Sequence, residues 1–139
     1  MIDHTGINVN NFEKSKEFYT ETLNPLGYQL IKELDTSGTG LISLAGFGTQ
    51  GAPDFWISHA EANTPRIHLA FRAETREMVQ AFYAAALEAG GKDNGAPGLR
   101  THYHPHYFSA YVLDPDGHNI EAVCHAVEAR NLANRASTA

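Results

Sequence analysis

Residues 2–27, IDHTGINVNNFEKSKEFYTETLNPLG, align without a gap to residues 66–91, RIHLAFRAETREMVQAFYAAALEAGG, at a constant offset of 64 positions. A single match at that offset could arise by chance, but four matches indicate an internal duplication. The matching pairs are His4 and His68, Phe18 and Phe82, Tyr19 and Tyr83, and Leu23 and Leu87. The duplication decides the fold, because the second copy is expected to form the same elements as the first.

Each copy begins with an alternating strand pattern and continues with an amphipathic helix pattern. The first strand, residues 2–9, ends at Asn10, which we expect to cap the first helix in a capping box with Glu13. The second strand, residues 67–73, precedes a helix that ends at the Gly90-Gly91 pair.

Further strand patterns follow each helix. They are YQLIKEL, GLISLAG and DFWISHA in the first copy, and HYFSAYVL and HNIEAVCH, joined by a DPDG turn, in the second. We therefore predict an α+β fold of two β-α-β-β-β modules, forming a curled mixed sheet around a pocket with the helices outside. Residues 1–127 would form one domain, with module one at about 1–62 and module two at about 63–127. The tail, residues 128–139, lacks a strand or core pattern.

Size and charge restrict the classes of function. The 139 residues suffice for one domain with a real core but not for two ordinary domains. The formal net charge of −6 argues against nucleic-acid binding, which requires a basic surface. No apolar stretch approaches the length of a membrane span. We expect a small-molecule substrate, with no nucleic-acid or membrane partner. The lone Cys124 and the absence of a secretory signal predict a cytoplasmic protein.

Three ionisable residues share the polar side of the predicted sheet. Because side chains alternate along a strand, His4, His68 and Glu121 lie opposite the apolar residues of their strands. Two imidazoles and a carboxylate bind a divalent metal and leave positions open for substrate. Each residue alone is more often hydrogen-bonded or solvated, but the duplication places the two histidines symmetrically. We expect one divalent ion there, with Fe, Mn, Ni and Zn all compatible.

The DPDG turn adds a fourth residue to this face. A type I turn with a left-handed glycine sets Tyr111 opposite Glu121 on the neighbouring strand. Cross-strand partners share a face, so Tyr111 is expected to line the pocket as a proton donor or substrate contact. The alternative is an aromatic ring packed on the sheet. We expect the substrate pocket to include Asn8, Trp56 and Arg66.

Three alternating histidines, His102, His104 and His106, are a second candidate for the metal site. Successive same-face residues of an extended strand stand about 7 Å apart, which is too far for ligands of one ion. Pro105 also interrupts the run, and GAPGLRTHYHPH, residues 95–106, has the composition of a loop. We therefore interpret this run as a loop at the pocket mouth, with His104, or else His102, acting as an acid or base.

The motifs IDHTGINVNNFEKSKEFY, RIHLAFRA and YVLDPDGHNIEAV resemble those of the vicinal oxygen chelate (VOC) superfamily over residues 1 to about 127. This superfamily comprises glyoxalase I, bleomycin-resistance proteins, fosfomycin-resistance thiol transferases and extradiol dioxygenases. The resemblance implies paired modules around a divalent-metal site, often in a dimer, and it implies metal ligands at His4, His68 and Glu121.

The resemblance does not select one member of the superfamily. A glyoxalase I would carry a fourth ligand near Ile57, where DFWIS offers none. The sequence is similar to an extradiol dioxygenase signature in the order of five elements: His104 or His102, Tyr111, Asp114-Pro115, Gly117 and Glu121. One departure is Ala110, which is smaller than the residue that this pattern prefers. No basic cluster follows Glu121 to hold the phosphonate of fosfomycin. We expect a metal-dependent enzyme of the dioxygenase or glyoxalase type; the alternative is a metal-free, bleomycin-resistance-like binding protein.

Overall fold

A computed structural model of the chain describes residues 1–36 and 38–127; the predicted tail lies outside the described residues. Two modules follow one another along the described chain. Module one contains β1 (Thr5–Val9), α1 (Phe12–Leu23), a 3-10 turn (Asn24–Leu26), β2 (Gln29–Leu34), β3 (Leu44–Thr49) and β4 (Ala52–His59). Module two contains β5 (His68–Arg72), α2 (Arg76–Glu88), β6 (Lys92–Leu99), β7 (Phe108–Leu113) and β8 (Asn119–Cys124).

The two modules have the same sheet topology. Module one forms a four-stranded sheet in the order β1-β4-β3-β2, and module two forms one in the order β5-β8-β7-β6. In each sheet the first strand pairs in parallel with the last strand, and the remaining pairs are antiparallel. The predicted α+β class and the paired modules are confirmed. The two sheets remain separate and do not close into one barrel.

Helix α1 begins one residue later than the sequence predicts. Its N-cap is Asn11, whose side-chain oxygen accepts a hydrogen bond from the Lys14 backbone N–H at 3.2 Å. The expectation that Asn10 is the cap is wrong, because the Asn10 side chain accepts the Ala62 backbone N–H at 2.8 Å instead. This tertiary contact ties the start of α1 to the end of module one.

The second module differs from the prediction in one strand. Residues 95–99, assigned to a loop, belong to edge strand β6, which contains Pro97 and the positive-φ residue Gly95. An edge strand tolerates proline and glycine because one side of its backbone makes no ladder hydrogen bonds. The following residues, 100–107, form the turns and bends that contain the alternating histidines.

One apolar core joins the two sheets. Phe55 of β4 and Phe71 of β5 meet edge to face, with ring centroids 5.3 Å apart. Phe18 of α1 and Phe82 of α2 are buried in the same cluster. Helix α1 packs on β2 and β4, and helix α2 packs on β6, β7 and β8 and on α1. The polar face of each sheet is therefore the face that its helix does not cover.

The junction of the modules is built on the turn before β8. The Tyr19 hydroxyl donates a hydrogen bond to Asp114 Oδ2 at 2.5 Å, deep in the core. Asp114 Oδ1 accepts the backbone N–H groups of Asp116 and His118 at 2.9 and 2.8 Å. Gly117 has φ 88°, as the predicted left-handed turn requires. Burial raises the pKa of the Asp114 carboxyl, and these hydrogen bonds oppose that rise.

His118 connects this turn to both first strands. Its Nδ1 accepts the Ile67 backbone N–H at 3.0 Å, so the proton resides on Nε2. Nε2 then donates to the Asn8 carbonyl at 3.2 Å. Both ring nitrogens of this buried histidine are therefore used in holding module one against module two. Within the described residues, no helix is long and apolar enough to span a membrane.

We expect Tyr19→Phe to lower the free energy of unfolding by about 1–3 kcal/mol, because it leaves a buried carboxylate oxygen of Asp114 without its donor. Urea denaturation measures the loss. Tyr28→Phe is the matched control, since the Tyr28 hydroxyl donates at 2.8 Å to Asp54, which is exposed. Its expected loss is below about 1 kcal/mol. Equal losses in the two variants would contradict the role assigned to the buried pair.

Candidate metal centre

The polar face of module two brings His68 and Glu121 together. His68 begins β5, and Glu121 lies in the adjacent parallel strand β8, opposite Ala70. His68 Nε2 lies 3.2 Å from Glu121 Oε1. The Glu121 side chain is only 2% exposed, whereas that of His68 is 49% exposed. The carboxylate therefore forms the floor of the site and the imidazole its open side.

The other nitrogen of His68 determines which atom faces the carboxylate. Nδ1 lies 2.9 Å from the Asn119 carbonyl oxygen, which can only accept a hydrogen bond. Nδ1–H therefore donates to this carbonyl, which leaves Nε2 as the nitrogen that faces Glu121 Oε1. Nε2 donates to Oε1 when the ring carries both protons, and in the neutral ring it offers a lone pair to a cation. A histidine held through Nδ1–H by a backbone carbonyl is also the usual arrangement of a metal ligand. The donor pair fits a divalent metal.

The second oxygen of Glu121 is bound by a residue that the sequence reasoning missed. The Tyr107 hydroxyl donates to Glu121 Oε2 at 2.5 Å. Burial raises the pKa of the Tyr107 phenol, and the hydrogen bond to Glu121 raises it further. Residues 107, 109 and 111 have the same parity, so extending the β7 alternation to its first flanking residue would have identified Tyr107.

Tyr111 lies where the turn geometry predicts it. The β7–β8 register pairs Tyr111 with Glu121. Its ring stacks on the His68 ring at a centroid distance of 6.2 Å, and the Arg100 guanidinium lies 5.6 Å from its centroid on the ring face. Burial raises the pKa of the Tyr111 phenol, and the nearby Glu121 carboxylate contributes to that rise. Tyr111 thus borders the His68–Glu121 pair without making the hydrogen bond to the carboxylate.

His4 lies on the other sheet. Its Nδ1 is 2.6 Å from Asp3 Oδ1, and its side chain is 62% exposed. It lines an open cavity of about 410 Å³, whose lining residues all belong to module one: His4, Thr5, Gly6, Leu44, Trp56 and Ser58. Among the described residues of a single chain, His4 makes no described contact with His68 or Glu121.

Trp56 occupies in module one the position that Glu121 occupies in module two. Gly6 pairs with Trp56 in the first sheet, and Ala70, which is 64 positions after Gly6, pairs with Glu121 in the second. The equivalent residue lies one position before Ile57, within the DFWIS segment considered from the sequence, and Ile57 itself is fully buried on the apolar face. The position equivalent to Glu121 therefore carries an indole.

The remaining predicted site residues lie around the edges of the two faces. His104 Nδ1 accepts the His106 backbone N–H at 3.1 Å, so its Nε2–H donates to His125 Nδ1 at 2.6 Å. The His102 ring contacts that of Tyr103 at a centroid distance of 4.1 Å. Asn8 is held through its backbone, and Arg66 donates at 2.8 Å to the Asn63 carbonyl.

The sequence profile of the Glyoxalase/Bleomycin resistance protein/Dioxygenase superfamily matches residues 1–122. The chain belongs to this superfamily. A glyoxalase/bleomycin resistance protein from Albidiferax ferrireducens T118 superposes with a TM-score of 0.70 at 27% identity, covering 89% of this chain and 98% of that one. No curated protein matches the sequence of this chain.

Two further structures of the superfamily share the fold. A glyoxalase/bleomycin resistance protein/dioxygenase family enzyme from Burkholderia phytofirmans PsJN gives a TM-score of 0.64 at 19% identity, covering 90% of this chain and 98% of that one. Glyoxalase I from Zea mays superposes with a TM-score of 0.66 at 19% identity, covering 91% of this chain but 45% of that enzyme. This VOC chain therefore corresponds to about half of the maize enzyme.

A second group of residues in this VOC protein has the spacing of metal ligands. Asp114, Asp116 and His118 each offer one ligand atom, and these atoms lie within 4.8 Å of one another. Both nitrogens of His118 are already hydrogen-bonded to backbone groups, and both oxygens of Asp114 accept hydrogen bonds. Binding an ion here would break the junction between the modules. The His68–Glu121 pair is the better candidate, because Nε2 and Oε1 face each other on an open surface.

Trp56 offers a direct test of the module-one face, because it is the only tryptophan of the chain. Its ring lies over Gly46, where an added Cβ would fall 2.8 Å from two ring atoms. We expect Gly46→Ala to displace the ring toward solvent and shift the emission maximum to longer wavelength.

Gly6→Ala is the control for this experiment, since the nearest Trp56 atom to its added Cβ is the carbonyl oxygen at 3.4 Å. Its emission is expected to remain that of the wild type. An unchanged spectrum in Gly46→Ala would contradict the described position of the ring.

Proposed function

We propose that this chain is a metal-dependent VOC enzyme that binds one divalent ion through His68 and Glu121, with His4 as the third ligand. The observation that supports it most directly is that His68 Nε2 faces Glu121 Oε1 at 3.2 Å, with Nδ1 fixed by a backbone carbonyl. A metal bound here would act as a Lewis acid toward adjacent oxygen atoms of a small-molecule substrate.

His4 would reach this site from a second copy of the chain. The polar face of module one carries a histidine, and that of module two carries a histidine and a carboxylate. Within one chain, His4 has only module-one neighbours among the described contacts. In a homodimer with twofold symmetry, module one of each copy can face module two of the other, and both sites are then equivalent.

The chain's own residues suit proton transfer beside a chelated substrate. Tyr111 stacks on His68 and keeps its phenolic proton, because burial raises its pKa. It would donate that proton to, or hydrogen-bond, a substrate oxygen. His104 and His102 lie on the loop before β7, and we propose His104 as the acid or base that exchanges protons with solvent. Asn8, Trp56 and Arg66 would contact the substrate.

Trp56 favours dioxygenase-like ring cleavage over glyoxalase chemistry. Glyoxalase-type isomerisation needs a base to move the substrate proton, and a carboxylate in the position of Trp56 would be the natural candidate. An indole can neither bind the metal nor take up that proton. It instead presents an aromatic surface, next to Leu44, to an apolar or planar substrate.

The competing proposal is a metal-free binding protein. It draws on the same module-one face, where Leu44 and Trp56 line two neighbouring cavities of about 410 and 510 Å³. Such a protein would hold an apolar ligand and would have no need of a metal at His68 and Glu121.

We expect the wild-type protein to bind one equivalent of Fe²⁺, Mn²⁺, Ni²⁺ or Zn²⁺ per chain after chelator treatment and reconstitution. Because ligand loss should exceed the effect of losing an outer partner, Glu121→Gln should weaken binding by about 100-fold or more. Calorimetric titration measures the affinity, and Asp116→Asn tests the alternative acidic group. Wild-type protein that binds metal no better than Glu121→Gln would favour the binding protein.

The Fe²⁺- or Mn²⁺-loaded enzyme should consume oxygen with catechol-type substrates and leave hemithioacetals unchanged, because ring cleavage needs a redox-active ion and Zn²⁺ has no redox chemistry. An oxygen electrode measures the first reaction, and loss of hemithioacetal absorbance measures the second. Isomerisation without oxygen uptake would assign the glyoxalase reaction despite Trp56.

Mixing two inactive variants tests the shared site. If each site combines module one of one copy with module two of the other, a heterodimer of His4→Ala and Glu121→Gln contains one intact site. Exchange of subunits at equal concentrations should then restore about a quarter of the metal sites and of the activity, by symmetry. No restoration after confirmed subunit exchange would place all three ligands of a site in one chain.

A further inference from the structure

We propose that Tyr107 is a positioning residue that holds Glu121 so that a single carboxylate oxygen, Oε1, remains available to the metal. This inference rests on the proposed function, since it concerns the same carboxylate. It assigns a role to a tyrosine that belongs to no strand and precedes β7 by one residue.

The two oxygens of Glu121 have different partners. Oε2 accepts the Tyr107 hydroxyl at 2.5 Å, whereas Oε1 faces His68 Nε2 at 3.2 Å. A buried carboxylate requires a donor, and the phenol supplies a charge-assisted hydrogen bond to Oε2. With Oε2 occupied, the carboxylate is restrained from rotating to offer both oxygens to one ion. Outer partners of this kind orient a ligand before the metal arrives.

The Tyr107 ring is itself held by a cluster of aromatic side chains. His104 and His125 contact it at centroid distances of 5.3 Å each, and Tyr103 contacts it at 4.8 Å. The two histidines stack on each other with ring centroids 4.9 Å apart and are joined by the bond from His104 Nε2 to His125 Nδ1. The histidine-containing loop thus acts on the metal centre through Tyr107.

A role in packing alone would give a different result from a role in positioning. Tyr107→Phe retains the ring and its contacts with the cluster, and it removes only the hydroxyl that binds Oε2. Tyr103→Phe removes a hydroxyl from a neighbouring ring that makes no described hydrogen bond to Glu121. The two variants therefore separate the hydrogen bond from the stacking.

The probe is Co²⁺, titrated into the chelator-treated full chain and followed by its visible d–d absorption, which responds to coordination number. We expect Tyr107→Phe to weaken Co²⁺ binding by about tenfold, as for other outer partners of metal ligands, and to change the absorption bands as the carboxylate binds through both oxygens. Tyr103→Phe should match the wild type in affinity and spectrum. Circular dichroism confirms that each variant is folded.

Three results would overturn the proposal. Tyr107→Phe that matches the wild type in affinity and spectrum would show that the hydroxyl does not position Glu121. An equal loss in Tyr103→Phe and Tyr107→Phe would assign the effect to packing of the cluster. In both cases Glu121→Gln still binds less Co²⁺ than wild type, so the proposed metal site survives. Wild type that binds no more Co²⁺ than Glu121→Gln would instead overturn the metal site and this role together.

Discussion

The apolar faces of the two sheets pack into one core, where Phe55 and Phe71 meet at 5.3 Å. This packing imposes a constraint on the rest of the molecule. A sheet with one apolar face presents its other face to solvent or to a partner. Each polar face lies on the side of its sheet that the helix does not cover. The duplication therefore yields two polar faces, one with His4 and one with His68 and Glu121, and the proposed twofold dimer would bring unlike faces together.

The two polar faces belong to duplicated modules and differ chemically. His4 and His68 are equivalent, but the strand beside them carries Trp56 in one sheet and Glu121 in the other. The face with Glu121 has an imidazole oriented by a backbone carbonyl, two tyrosines and one buried carboxyl group. The face with Trp56 has the indole ring packed over Gly46 and borders an open cavity. In the proposed dimer, a substrate between the two faces would contact both.

Patterns local to one strand or one turn were predictable from the sequence. Alternation placed His68 and Glu121 on a common face, and the DPDG turn fixed the Tyr111–Glu121 register three residues away from it. These inferences succeeded because strand parity and turn geometry depend on a few neighbouring backbone angles. The same reasoning rejected the alternating histidines as a metal cluster, and the structure places His104 in a pair with His125.

Features that depend on distant contacts were not predictable in this way. Asn10 is a residue type that commonly caps helices, but its side-chain oxygen accepts the backbone N–H of Ala62, 52 positions later. Asn11 caps the helix instead. The offset between modules grows from 64 to 65 at the last strand because the intervening loops differ in length, which moves the equivalence from Ile57 to Trp56. Strand alternation places Tyr107 on the face of Glu121, but its hydrogen bond to that carboxyl group depends on how residues 100–107 fold. The residues that distinguish this chain from its relatives are expected in such places, since loops change with little effect on the shared core.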